Sequence, residues 1–391
     1  MKTNPPIQKR PDTHSHDHLT CQIPEGWKVL QWGDIATLEY GKGLRGYDNA
    51  LGPFRVFGTN GPIGWHAESL CSTPTVVVGR KGAYRGIHYS SSPCYVIDTA
   101  FYLKPKVDFD MRWAYYQLLT QDINGMDSGS AIPSTSRDSF YNLDLKMPPL
   151  PQQRAIAKIL SDLDEKIELN QQMNKTLEAV AQAFFKRWFV DFNFPDEKGR
   201  PYKDSGGRMV DSELGEIPEG WRVGTLGEII EIESGKRPGA KSEIKTPEFS
   251  IPLLGASSVM GFVKESLYSE PILVIGRVGT HGVVQRVSIP SFPSDNTLVI
   301  KSKHFEFAHQ ILKSINYDAL NVGTTQPLIT QTAINKYPII LPGVDLRDRY
   351  EKAVSGFFGK VAANIFENET LNQIRDSLLP KLMSGRIKVE A

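Results

Sequence analysis

The sequence contains no run of 18 apolar residues, so no stretch of it is expected to cross a membrane. Charge of one sign is missing as well. With 45 Lys and Arg against 44 Asp and Glu, the net charge is +1. That argues against a generic polyanion binder, but not against a protein that reads DNA through a few well-placed basic loops. Cysteine is scarce: Cys21, Cys71 and Cys94 are odd in number and unclustered along the chain. This suits reduced thiols in a cytoplasm better than a disulfide framework. Residues 1–20 lack a hydrophobic run and carry Pro5, Pro6 and Pro11. They are expected to form a disordered tail, neither signal peptide nor anchor.

The usual marks of catalysis are absent too. Asn4-Pro5-Pro6-Ile7 resembles the Asn-Pro-Pro-aromatic loop of amino-methyltransferases, but it lacks the aromatic, lies in the tail and follows no glycine-rich strand-turn-helix. Gly79-x-x-Gly82-x-x-x-Gly86 and Gly276-x-x-Gly279-x-x-Gly282 match neither a dinucleotide nor a phosphate-loop fingerprint. The carboxylates around Asp196 sit in linker-like sequence. His14, His16 and His18 alternate in the tail, where a solvated segment explains them better than a metal clasp. No metal site and no catalytic residue is expected in this chain.

A long stretch without glycine dominates what is present. Pro151 to Asp191 has no Gly, and no Pro after its first residue. Ile156, Leu163, Asn170, Leu177 and Phe184 fall at heptad position a, and Leu160, Ile167, Asn174, Ala181 and Trp188 at d. Apolar residues spaced four then three predict a helix about 60 Å long with a coiled-coil seam, which needs a partner. Asp345 to Arg386 supplies one: Tyr350, Phe357, Asn364, Leu371 and Leu378 at a, and Val354, Val361, Asn368, Arg375 and Leu382 at d. Each lies 194 residues after its counterpart. The mid-seam asparagines admit two readings, a wet patch copied by duplication or a device that fixes register and orientation. Gly356 and Gly359 weaken the second helix, and Pro380 is expected to kink or end it.

The rest of the chain is one unit written twice. Ile23-Pro-Glu-Gly-Trp27-Lys-Val29 recurs as Ile217-Pro-Glu-Gly-Trp221-Arg-Val223, and the match continues through Gly41-Lys42 and Gly235-Lys236. The strand runs ending at Gly79 and Gly276 each break into a basic turn, and Asp98-Thr-Ala and Asp295-Asn-Thr follow at matching distance. The expected order is a tail over 1–20, a head over 21–150, a helix over 151–192, a linker over 193–216, a second head over 217–344 and a helix over 345–388. The fold class is α+β: two pseudo-repeated heads separated by two long helices that pair as an antiparallel coiled coil. Connectivity then puts one head at each end of the helical rod. The repeated seam residues Leu160, Leu163, Ile167, Asn170, Asn174 and Leu177 are expected to meet Val354, Phe357, Val361, Asn364, Asn368 and Leu371.

Positions repeated in place but changed in detail point to reading. The first turn offers Arg80, Lys81, Tyr84 and Arg85, and its counterpart offers Arg277, His281, Gln285 and Arg286, both without a carboxylate. Arginine forks suit guanine edges, glutamine suits adenine, and lysine or hydroxyl groups suit phosphate. The competing reading of each is a hairpin with solvated cations. The polar segments add Ser134 and Arg137, and Thr324, Thr325 and Gln326. Lys42, Arg45, Lys236 and Arg237 complete the candidate DNA-binding set.

These features together resemble the specificity subunit of type I restriction–modification systems. The resemblance rests on two Pro-x-Gly-Trp openings, on the Leu150-Pro-Gln-Gln-Arg-Ala-Ile-Ala entry to the first helix, and on heads alternating with repeated helices. It covers roughly residues 22–388. Gln152 stands where the family often has Glu, and the second helix opening, Leu341-Pro-Gly-Val-Asp, is degenerate. The resemblance implies that each head is a target recognition domain for one half of a bipartite asymmetric site in double-stranded DNA. It implies that the helices set the untouched spacer. Two methyltransferase (modification) subunits and restriction/translocase subunits would be partners, bringing S-adenosylmethionine, ATP and Mg2+, with no cofactor bound by this chain. Two other readings stand beside it: a coiled-coil adaptor whose heads bind protein, and a self-sufficient methyltransferase or nuclease, which the missing motifs disfavour.

Overall fold

Thr75–Gly79 is buried at all five positions, as is Ile272–Gly276. A strand can hide both faces only when each is covered by another layer. The computed structural model, which describes residues 23–47, 52–126, 133–278, 282–320 and 328–390, shows both layers.

The first head runs β1 (Lys28–Gln31), α1 (Trp32–Ile35), β2 (Ala36–Tyr40), β3 (Phe54–Gly58), β4 (Gly61–His66), β5 (Thr75–Gly79), β6 (Ile87–Ser90), β7 (Cys94–Val96) and β8 (Ala100–Pro105). It continues through α2 (Met111–Leu119), α3 (Arg137–Tyr141) and β9 (Asp144–Met147) into the long α4 (Leu150–Phe185). An antiparallel sheet of order β2-β8-β5-β6 lies at its centre. Val76 and Val78 point to a helical layer with Trp113, Tyr116, Ile156 and Leu160. Val77 points the other way, to Phe57, Cys94 and Val96 of a second sheet, β4-β3-β7. Cys71 and Cys94, separate in sequence, face each other across an isolated antiparallel bridge as buried free thiols.

The second head repeats the plan. Its elements are β10 (Met209–Val210), β11 (Ile217–Pro218), β12 (Arg222–Thr225), β13 (Glu231–Ser234), β14 (Ile251–Leu254), β15 (Val259–Val263), β16 (Ile272–Gly276), β17 (Val284–Val287), β18 (Phe292–Pro293) and β19 (Thr297–Lys301). Then come α5 (Phe305–Ser314), α6 (Gln331–Asn335), β20 (Pro338–Leu341) and α7 (Val344–Met383). Sheets β13-β19-β16-β17 and β15-β14-β18 mirror those of the first head strand for strand, including the parallel β14–β18 pair that matches β3–β7.

Compactness divides the chain into the described parts of 15–170 with 366–391, and 171–365. The division cuts both long helices rather than falling at their ends. Each unit therefore holds a head, the near half of that head's own helix and the far half of the other. In the first unit Asn170 donates to Asn368 Oδ1 at 2.9 Å and to Glu367 Oε2 at 2.8 Å, and Arg375 donates to Asp164 at 2.8 Å. In the second, Asn364 donates to Asn174 at 2.8 Å, and the rings of Phe184 and Phe357 lie 6.0 Å apart. Partner numbers fall as residue numbers rise, so α4 and α7 run antiparallel. The asparagines are cross-paired, each a with a d; Asn170 and Asn364 are fully buried and Asn368 is buried. Leu160, Ile167, Val354 and Val361 are buried, while Leu163, Leu177, Phe357 and Leu371 are half-buried.

Pro380 stands three residues before the end of α7 at Met383, as expected of a helix-ending proline. It lies in the last turn, where its missing N–H removes one bond, and the chain turns out at Gly385 with φ +74°. A Cβ at Gly385 would strike the Pro24 ring, so the turn also packs on the first opening motif. The 193–216 stretch is not a bare linker. Phe194 stacks on Tyr202 and Trp221 at 4.6 and 5.2 Å, and Asp196 accepts from Arg200 at 2.9 Å. Nor does α4 stay regular to residue 192: Lys186–Val190 widens to a π-helical turn. Among the described residues no helix is long and apolar enough to cross a membrane, and no group of His, Cys, Asp and Glu could hold a metal ion.

Candidate nucleic-acid interface

In the first head five stretches far apart in sequence meet at the end of β5. The turn after Gly79 is pinned by Arg80 N–H donating to the Thr99 carbonyl and Gly82 N–H to the Pro133 carbonyl, both at 2.9 Å. Thr135 N–H returns a bond to the Arg80 carbonyl at 2.9 Å, and Lys81 bridges Ser134. The tip of the β3–β4 hairpin joins them: the Thr59 hydroxyl donates to the Lys81 carbonyl at 2.9 Å. Lys42 anchors the β2 loop here through its N–H to the Val96 carbonyl at 3.0 Å.

Two guanidinium groups share one ring at this place. Arg80 lies 4.7 Å from the Tyr40 centroid and Arg137 lies 5.2 Å from it. Arg80 also donates to the Asp98 carbonyl at 2.9 Å, and Arg137 donates through Nε and Nη2 to Tyr141 Oη at 3.1 and 2.8 Å. The bond to that hydroxyl holds the Arg137 guanidinium above the ordinary arginine range. Lys42, Arg45, Lys81 and Tyr84 are exposed. Among the described residues none of Lys42, Arg45, Arg80, Lys81 and Arg137 has a carboxylate partner, although Arg112, Arg222, Arg286 and Arg375 all have one. Aromatic stacking orders the arginines without neutralising them. Such a patch is ready for phosphate oxygens or base edges.

Three residues of the expected reading set have partners elsewhere in the fold. Arg85 is 2% exposed, and it donates to the carbonyls of Gly82, Ile123, Asn124 and Met126, so it holds a loop together from inside. Arg286 is paired with buried Glu306 at 2.6 Å beneath the Phe305 and Phe358 rings. Gln285 is tied to the Gly255 carbonyl at 2.8 Å. Arg85 and Arg286 are held within the fold, whereas Gln285 keeps its carbonyl oxygen and one N–H beyond its bond to Gly255.

The second head has the same frame with different side chains. Arg277 N–H donates to the Asn296 carbonyl, and its own carbonyl accepts from Ile329 N–H, both at 2.9 Å. Lys236 N–H donates to the Pro293 carbonyl at 3.0 Å, and Lys236 and Arg237 are exposed. His281, Thr324, Thr325 and Gln326 lie outside the described residues.

The sequence profile described as the type I restriction modification DNA specificity domain matches residues 24–179 and again 218–372, together well over half the chain. The chain belongs to that family. The MjaIX type I restriction enzyme specificity subunit of Methanocaldococcus jannaschii is 27% identical over 317 residues, covering 73% of this chain and 71% of the relative. The HindI specificity subunit of Haemophilus influenzae is 26% identical over 345 residues, covering 70% and 74% respectively. The crystal structure of the type I restriction–modification S subunit from M. genitalium superposes with a TM-score of 0.62 at 18% identity, covering 93% of this chain and 97% of that one, which shows a shared fold. The present chain is therefore a specificity subunit that recognises DNA sequence, not an enzyme, and the reading of it as a protein-binding adaptor falls away.

Sequence reasoning missed Tyr40 and Trp65 of this specificity subunit and gave Gln152 no structural role. Tyr40 was not singled out, although it ends a strand just before the repeated Gly41-Lys42. Exposed Trp65, with Arg55 4.6 Å over its ring, adds another aromatic–cation pair in the first head. Gln152, the departure from the family's usual Glu, accepts from Trp27 Nε1 at 2.9 Å and so fastens the first opening motif to α4.

Proposed function

We propose that each head of this specificity subunit reads one half of a bipartite, asymmetric site in double-stranded DNA. The paired helices set the unread spacer and scaffold two methyltransferase subunits and the restriction/translocase subunits. S-adenosylmethionine, ATP and Mg2+ then belong to those partners, and the complex acts in the cytoplasm. One observation carries the reading. Both heads bring a strand-end arginine, a basic loop after a repeated Gly-Lys and a polar helix start to one place, yet they differ in the side chains displayed. Heads of one plan with different contacts should read different short sequences, while phosphate contacts position them. The cations Lys42, Arg45, Arg80, Lys81, Arg137, Lys236, Arg237 and Arg277, with Tyr84 and Ser134, are the contacts we assign to this role.

Selection of duplexes from a random pool by the purified full chain tests it. Two dissimilar conserved blocks and a steep loss of affinity with salt are expected. Enrichment of a single block, or retention of DNA indifferent to salt, would remove the proposal.

A further inference from the structure

Superimposing the repeats residue by residue exposes one slot where the frame is kept and the chemistry changes. Tyr40 and Ser234 end equivalent strands, β2 and β13, each followed by a glycine whose Cβ would strike a backbone carbonyl, of Ile97 and Ser294 respectively. Arg137 and Gln331 are the first residues of equivalent five-residue helices, α3 and α6. Their caps are equivalent as well, Ser136 accepting from Ser139 N–H at 3.2 Å and Thr330 from Ala333 N–H at 3.1 Å. Each slot adjoins the strand-end arginine, Arg80 or Arg277, through the same backbone bonds. Within this shared frame Arg137 sits 5.2 Å from the Tyr40 ring, whereas Gln331 Nε2 donates to Ser234 Oγ at 3.0 Å.

Resting on the proposed reading of DNA by the heads, we propose that this slot determines what base each head accepts. The Tyr40–Arg137 pair selects guanine in one half-site, and the Ser234–Gln331 pair selects adenine in the other. The two sites have changed together: a large ring supports a guanidinium, and a small hydroxyl supports a carboxamide. Arg137 keeps Nη1 and one Nη2 proton beyond its bonds to Tyr141, a two-donor edge that matches the O6 and N7 acceptors of guanine. Gln331 keeps its carbonyl oxygen and one N–H, the acceptor–donor edge that matches N6 and N7 of adenine. Both side chains are half-buried and held by a neighbour, so little freedom is lost when a base arrives. Tyr40 and Ser234 are positioning residues and do not themselves read.

The test transplants the slot in the full chain: Tyr40→Ser with Arg137→Gln, and reciprocally Ser234→Tyr with Gln331→Arg. Duplex selection from a random pool is the readout, with thermal unfolding to show that each variant folds. One position of one half-site should switch from G·C to A·T, or the reverse, with a preference change of about 10- to 100-fold. Arg137→Lys, which keeps the charge but loses the fork, should abolish the guanine preference at that one position. Uniform weakening over all sequences would overturn the inference by placing Arg137 on phosphate. Unchanged preference in folded variants would overturn it by making the slot structural. If the unsubstituted chain selects no sequence at all, the broader proposal fails rather than this one.

Discussion

The paired asparagines of the helical seam permit a sharp test of what holds α4 to α7. Asn170 is fully buried and donates to both Asn368 Oδ1 and Glu367 Oε2, at 2.9 and 2.8 Å. Replacing Asn170 with Ala removes one neutral and one charge-assisted bond and leaves a buried acceptor on Asn368, a loss of about 2–3 kcal/mol. Asn368→Ala should cost about 1–2 kcal/mol. Because each single change already breaks the shared bond, the double variant should lose about 1 kcal/mol less than the sum. Asn364 donates to Asn174 at 2.8 Å, so Asn364→Ala with Asn174→Ala forms a second cycle in which a similar coupling of about 1 kcal/mol is expected. Urea unfolding followed by helical circular dichroism gives the four stabilities of each cycle. Coupling near zero for Asn170 and Asn368 would refute the register role and restore the wet-patch reading. Asn170→Leu with Asn368→Leu should keep or raise stability while loosening orientation, seen as a mixture of association states by light scattering.

Other outcomes follow from the same contacts. Arg85→Ala should destabilise the chain by about 2–4 kcal/mol, because the carbonyls of Ile123, Asn124 and Met126 lose a buried charged donor. A stable variant with altered sequence preference would return Arg85 to the reading set. Burial pushes the Glu351 carboxyl up to about 7, although its oxygens accept from the backbone N–H groups of Glu306 and Phe307. Below the ordinary value of 4.5 its contribution is fully present. As pH rises through about 7 the folded state must give up a proton it holds more tightly than the unfolded chain, so roughly 2–3 kcal/mol is lost by pH 8. The stability difference between the natural chain and Glu351→Gln, measured by urea unfolding from pH 5 to pH 8, should therefore shift against the natural chain; a flat difference would show that the carboxyl is not perturbed. Inserting one heptad into each of α4 and α7 lengthens each helix by about 10 Å, or about three base-pair rises. The tolerated spacer should grow by about that much with the half-sites unchanged, as read by duplex selection, and an unaltered spacer would refute the ruler.

Much of this architecture was legible because it is written in local period or in repetition. The seam from Ile156 to Trp188 shows as fours and threes, and the five-residue buried runs ending at Gly79 and Gly276 announce strands covered on both faces. The repeat marks the equivalent loops of the two heads. What stayed hidden depends on partners remote in sequence. Arg85 reads like any loop arginine until residues 123–126 close over it, and Arg286 reads as free until Glu306 is placed 2.6 Å away. Tyr40 carries no motif, and its importance comes from two arginines that lie about 40 and 100 residues downstream. The second sheet of each head was equally silent, because the parallel pairings β3–β7 and β14–β18 join strands with no turn between them. The 193–216 stretch has linker composition, yet Phe194 and Tyr202 give it a small aromatic stack.

Two-headed reading is tested most directly by mapping the methylated adenines made when this chain is reconstituted with methyltransferase subunits. Two short dissimilar blocks separated by a fixed run of unread base pairs are expected, with Arg80→Ala disturbing one block alone. A single contiguous motif, a palindrome, or a change in both blocks at once would contradict it.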